Sequence, residues 1–291
     1  MNSPDLVAHG IAALAAFAIS AVTGTAGVTG AFLLVPFQVS VLGIVTPSAS
    51  ATNHLYNVMA APGGAWAYYR QGRMVLPLAA ALVGGTVPGV LAGVLIRILY
   101  FPDPGRFKLF AGGVLLLLGL LVLFRGAPRR RARGRPQPAG SAIVRRSGWT
   151  RLEYEFDGRV RTVDPRRLAL FALIVGVVGG CYGVGGGVFT SAYLVGVCRL
   201  PVHSTAGATL LATFFGSVTG VLGFQAAALL AGGIAAEASP IWTLGLALGA
   251  GGWLGGRLGA RLQRHLPARF ITAGLALLIL ALGALYAGRV L

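Results

Sequence analysis

The chain reads as an all-α polytopic membrane protein made of two inverted repeats, each a glycine-broken re-entrant helical hairpin followed by about three transmembrane helices. Three observations predict this. The 291 residues are 56% hydrophobic and 11% charged, with a mean hydropathy of +0.78, far from the roughly 25% charged residues of a soluble domain. Two glycine-rich breaks, VTGTAGVTGAFLLVP (22–36) and VGGCYGVGGGVFTSAY (178–193), interrupt apolar stretches at matching places in the two halves. Basic residues, finally, gather at alternate turns of the chain rather than along its length.

Each element follows from the apolar runs. The first break splits 6–22 from 31–45, and the second splits 168–178 from 188–197. Further runs occupy 48–69, 74–98, 107–124, 202–230, 240–258 and 267–287, most of them near the ~20 residues that cross a bilayer core as helix. Soluble core helices rarely run so long without charge, which sets a soluble fold aside. The first run lacks the basic flank of a signal peptide and leads straight into the break, so it belongs to the mature protein. The domains are accordingly 1–124, a basic linker at 125–166, and 167–291.

A net charge of +17 is concentrated rather than spread: thirteen of the 24 basic residues fall in 125–167 beside four acids. That pattern marks a cytoplasmic loop of a bacterial inner-membrane protein under the positive-inside rule, with the lipid bilayer as partner. Aromatics are not interleaved with the early arginines, so nucleic acid is not an expected partner. Within the linker, 127–140 is Pro/Gly/Arg-rich and flexible by composition. WTRLEYEFDGRVRTV (149–163) alternates apolar and charged residues around Asp157-Gly158, the signature of a type I′ hairpin. A lone hairpin is marginal in water, so this one is expected to pack on the membrane domain or a neighbouring subunit; a homodimer is left open.

With the linker inside, the turn at 70–73 is inside, and those at 100–106 and 226–239 (carrying Asp103 and Glu237) are outside. Arg257, Arg261, Arg264 and Arg269 then fall inside only if each broken run enters and leaves on one side, as a hairpin of two half-length pieces. The N-terminus lies outside. Each half makes a hairpin plus three crossings, and an odd number of crossings inverts the second half. The halves overlay directly: Gly24, Gly27, Val28 and Gly30 match Gly180, Gly183, Val184 and Gly186, and Pro47 and Pro201 each open the next helix.

The segment GGCYGVGGGVFTSAYLVGVCRLPVHSTAGATLL resembles the second-half signature of the TauE/SafE family of sulfite and organosulfonate exporters and permeases. GTAGVTGAFLLVP, TPSASATNHLYNV and PGGAWAYYRQGRM resemble its first-half partner. Thr29 and Ala31 stand where the family often has glycine, and Ala51-Thr52-Asn53 replaces its usual Gly-Thr-Asn. The resemblance implies a secondary transporter of a small anion, sulfur-containing or carboxylated. A passive channel of the same architecture stays open as an alternative.

The residues themselves also point to an anion. No Asp, Glu, Lys or Arg lies in the middle of a predicted helix, so an anion must be held by neutral donors and by the backbone N–H groups of broken helices. The candidate substrate-binding set is Thr25, Gly27, Thr29, Gly30, Thr52, Asn53, His54 and Asn57 in the first half, and Tyr182, Gly183, Gly185, Gly186, Gly187 and Thr209 in the second. Thr23, Thr190 and His203 lie nearby, and Thr52 and Asn53 are expected to supply side-chain donors. His54 is the one group near the breaks that titrates around neutrality. Cys181 and Cys198 read as small buried hydrophobes, although Cys181 sits in the break itself. No HExxH, no Ser/His/Asp set, no paired carboxylates and only isolated histidines (His9, His54, His203, His265) are present, so neither an enzyme, a metal nor a cofactor is expected.

Overall fold

The computed structural model describes residues 3–25, 29–124, 141–230, 232–262, 277, 279–286 and 288. Helices dominate them: α1 (Ser3–Thr25), α2 (Ala31–Ser40), α3 (Ser48–Arg70), α4 (Leu76–Tyr100), α5 (Pro104–Phe124), α6 (Pro165–Tyr182), α7 (Gly187–Gly196), α8 (Val202–Leu230) and α9 (Trp242–Leu262), with a 3-10 turn at Gly233–Ala238. Among the described residues, Leu76–Tyr100, Pro104–Leu121, Pro165–Tyr182 and Ser204–Leu230 are long and apolar enough to cross a membrane. The fold is that of a polytopic membrane protein.

Both glycine breaks divide helices as the sequence predicts, but the expectation of two half-length arms fails. The arms are unequal: α1 has 23 residues and α2 has 10, while α6 has 18 and α7 has 10. At 1.5 Å per residue the long arms reach about 34 and 27 Å and the short ones about 15 Å. The reason is local. One glycine among good helix formers costs only about 1 kcal/mol, so α6 runs on through Gly179 and Gly180. It stops where Gly183, Gly185 and Gly186 take φ of +90°, +64° and +77°, a region that side chains with a Cβ avoid.

Two helix pairs hold the bundle together, and both are glycine seams. Gly85, Gly89 and Gly93 of α4 lie against the carbonyls of Ala169, Leu173 and Val177 of α6. Gly251 and Gly255 of α9 lie against those of Ala13 and Phe17 of α1. A Cβ at any of these five glycines would overlap the facing carbonyl oxygen. Numbers rise together across each seam, so both pairs are parallel, and the absent side chains let backbones approach where lipid offers no hydrophobic drive to pair.

The linker adds a three-stranded antiparallel sheet, β1 (Ile143–Arg146), β2 (Leu152–Phe156) and β3 (Arg159–Val163), ordered β1-β2-β3, which amends the all-α description. Asp157 and Gly158 turn with φ of +52° and +70°, the two positive values a type I′ turn requires. Leu152, Tyr154 and Phe156 are buried with Val75, Leu78, Leu168, Leu194 and Leu200, so the sheet rests on the end of the helical bundle. Arg145–Glu155 and Arg151–Glu153 pair at 2.6 Å on its outer face. Strand β1 was not expected. All four of its residues are exposed and carry no alternation, and it is held by pairing with β2 and by Ala142 N–H donating to the Gly72 carbonyl at 2.8 Å.

Candidate functional site

The fold brings the two breaks together. Asn53, fully buried in the second turn of α3, donates from Nδ2 to the Ala31 carbonyl at 2.8 Å and to the Gly183 carbonyl at 2.9 Å. Tyr182, at the end of α6, donates its hydroxyl to the Phe32 carbonyl at 2.8 Å. Asn57 Nδ2 reaches the Gly183 carbonyl at 3.3 Å, and Gln38 Nε2 reaches Asn53 Oδ1 at 3.5 Å. Helix α3 is thus stitched to both interruptions by side chains of its first three turns. Gly183 has a second reason to be glycine, since a Cβ there would sit 2.6 Å from the Ser50 carbonyl oxygen.

Beside this stitch lies a cavity of about 360 Å³. Its floor is made by Thr29 and Gly30 from the first break and Gly187 from the second, with hydroxyls from Ser20, Tyr56, Ser191, Thr209 and Thr213 around them. Ala67 and Tyr68 of α3, Ala206 of α8, and Gly256 and Arg257 of α9 carry the lining toward one end of the bundle. Tyr56 is fixed by a 2.8 Å hydrogen bond between its hydroxyl and that of Ser20. Arg257 lays its guanidinium 3.9 Å from the centre of the Trp253 ring, a cation–π shelf. Among the described residues it is the sole charged one in the lining, and no carboxylate is found there.

A profile of the sulfite exporter TauE/SafE family matches residues 12–286. The chain belongs to the TauE/SafE family. That family is one of membrane transporters. Among curated proteins, this TauE/SafE chain is 23% identical over 203 residues to the probable membrane transporter protein YunE of Bacillus subtilis (strain 168), a match covering 68% of the chain and 65% of that relative. No solved structure matches it.

The sequence-predicted residues of this TauE/SafE protein divide into three groups. Thr29, Gly30, Gly187 and Thr209 line the cavity. Thr52, Asn53, His54, Asn57, Tyr182, Gly183, Gly185 and Gly186 form the packed layer around the breaks. Gly27 lies outside the described residues, as do the side chains of Thr25, the last residue of α1, and His203. Thr23 and Thr190 turn their hydroxyls to the carbonyls of Ile19 and Gly186.

In the packed layer the Asn53 donors are already committed, since both amide hydrogens bind carbonyls, and Asn53 holds the breaks together. Thr52 is fully buried, and its Oγ1 accepts from the Ile241 N–H at 2.9 Å. His54 is fully buried, with its ring nitrogens 3.4 Å from Ser217 Oγ and from the Gly180 carbonyl. Cys181 faces away from the cavity and donates to the Gly93 carbonyl at 3.0 Å, inside the α4–α6 seam.

Sequence reasoning missed Ser20, Tyr56, Ser191, Thr213 and Arg257, each lying on a helix wall rather than at a break. It also missed Arg97. The last turn of α4 counted as a helix end, yet Arg97 is fully buried, with Ser50, Val45 and Phe101 as acceptors and the Phe107 ring beneath its guanidinium. The signal available was its place inside the apolar run 74–98, where charged residues are rare.

Proposed function

We propose that this protein is a secondary transporter of a small anion, a sulfur-containing oxyanion or organosulfonate, bound in the cavity between the two helix breaks. One observation carries the reading: among the described residues the cavity combines hydroxyls, broken-helix backbone and the Arg257 guanidinium with no carboxylate. Helix starts hold anions through free N–H groups and the positive dipole end, and hydroxyls add directional donors. Binding by neutral groups stays weak enough for release, while a single arginine at the rim attracts anions and repels cations.

The two halves are read as inverted repeats. Laying Gly24 on Gly180 places Ala13 on Ala169 and Phe17 on Leu173. Ala13 and Phe17 are the residues faced by Gly251 and Gly255, and Ala169 and Leu173 those faced by Gly85 and Gly89. The same offset thus relates the break motif and the glycine seam, which supports the repeat. Tyr68, Ala206 and Arg257 carry the cavity lining toward the end where the sheet lies. By the positive-inside rule that end faces the cytoplasm of a bacterial inner membrane, and the cavity is read as approached from that side.

The test is counterflow in proteoliposomes loaded with sulfite, thiosulfate, sulfoacetate, sulfate or a small carboxylate. Accelerated uptake of labelled anion against a preloaded one identifies a carrier and its substrate. Uptake indifferent to preloading indicates a channel, and no anion-dependent flux for any of the set overturns the reading.

A further inference from the structure

We propose that Arg97, with Ser50 beside it, is an anion-receiving station at the end of the bundle away from the cavity mouth, latched shut in this state. The proposal rests on the transporter reading, because a carrier open at one end must be sealed at the other.

Position comes first. Ser50 and Tyr68 are both on α3, and the 18 residues between them span about 27 Å of helix. Tyr68 lines the cavity, whereas Arg97, at Ser50, stands at the opposite end of α3. Here it ties three segments together. Nε donates to Ser50 Oγ at 3.4 Å, Nη2 to the Val45 carbonyl at 3.5 Å and Nη1 to the Phe101 carbonyl, while the guanidinium lies 3.7 Å from the centre of the Phe107 ring.

Charge comes second. The group is fully buried, and every one of its partners is neutral. Burying an uncompensated guanidinium among apolar helices is expensive, and an apolar side chain of similar volume would spare that penalty. Capping the end of α4 accounts for the Phe101 contact. It does not account for the contacts to Ser50 and Val45 or for complete burial. An oxyanion is the ligand that neutralises a guanidinium and matches its forked donors.

Exchangeability comes third. Val45 lies in the irregular stretch between α2 and α3, and Phe101 just past the end of α4. Neither carbonyl is locked in a helix, so an arriving oxyanion can replace both. Ser50 Oγ also donates to the Cys181 carbonyl at 2.8 Å, and Gly183 packs on the Ser50 backbone. A shift at Arg97 is therefore felt at the second break.

The test uses the full chain carrying Cys181→Ala, Cys198→Ala and Ala51→Cys; Ala51 is fully buried beside Val90, Val94 and Phe224. In proteoliposomes the introduced thiol should react slowly with a membrane-impermeant maleimide, and severalfold faster with saturating sulfite or thiosulfate. Adding Arg97→Gln should raise the anion-free rate severalfold, erase the anion effect and cut transport by about 10-fold or more, the loss of one charge-assisted contact. Anion binding from the cavity side in detergent should hold steady in the same variant. Arg97→Lys should keep part of the anion response, and Ser50→Ala, milder for folding, should weaken it. Parent-like labelling and transport in Arg97→Gln, or an unchanged anion response in both Arg97→Lys and Ser50→Ala, overturns the proposal. A parent protein that binds and transports none of the anions brings down the transporter reading instead, and faster anion-free labelling in Arg97→Gln would still uphold the latch.

Discussion

Tyr182 donates its hydroxyl to the carbonyl of Phe32 over 2.8 Å, joining the end of α6 to the start of α2 across 150 positions of sequence. With Asn53 bridging Ala31 and Gly183, it makes the two breaks one structural unit.

Asn53 is the keystone of that unit, so Asn53→Ala should act on stability. Losing its two hydrogen bonds costs about 0.5–1.5 kcal/mol each, with Asn57 still donating to the Gly183 carbonyl. The expected outcome is a lower thermal midpoint in detergent together with lost transport. An unchanged midpoint with weakened anion binding would return Asn53 to the ligand set.

Thr213→Ala and Thr209→Ala should do the reverse, because both line the cavity. Each Oγ1 also bonds a carbonyl of its own helix, and such a local bond adds little to stability. Removing one donor to a charged ligand costs about 1.5–3 kcal/mol, or about 10–150-fold in affinity. Titration calorimetry should show that loss with the thermal midpoint held.

Arg257→Gln should weaken anion binding by a similar factor and flatten its salt dependence, since screening acts on the rim charge. Arg257→Lys should recover most of the affinity. Equal affinity in parent and Arg257→Gln across 20 mM to 500 mM salt, a range spanning Debye lengths of about 20 to 4 Å, would show the rim charge to be idle.

Gly183→Ala combines a φ of +90° with a Cβ 2.6 Å from the Ser50 carbonyl. Strain of this kind costs about 1–3 kcal/mol, so the midpoint should fall and transport should vanish. Gly84→Ala meets nothing within 4 Å and should be neutral or slightly stabilising. The two glycines thus separate backbone demand from simple helix packing.

Sidedness follows from charge and is tested by labelling. With Ser141→Cys and Ala236→Cys each as the sole thiol, an impermeant reagent outside intact cells should reach the second and not the first. The opposite result would invert the topology.

Much was legible in the sequence because it depends on local chemistry. Long apolar runs dictate membrane helices, the glycines from 183 onward end α6, and Asp157-Gly158 turns a hairpin. TauE/SafE membership was readable from the sequence, since GxGGG at 183–187 and LPVH at 200–203 lie close together in the chain. Side-chain roles were not readable, because a buried amide and a ligand-binding amide look alike in one dimension. Asn53 sits in a polar helix start, and only the carbonyls of Ala31 and Gly183, distant in sequence, decide that its amide hydrogens are spent on structure. Arg257 and Arg97 are both arginines near helix ends. Tertiary packing alone leaves one at the rim of a cavity on Trp253 and encloses the other between Ser50, Val45 and Phe107, because burial is set by what the rest of the chain places around a residue.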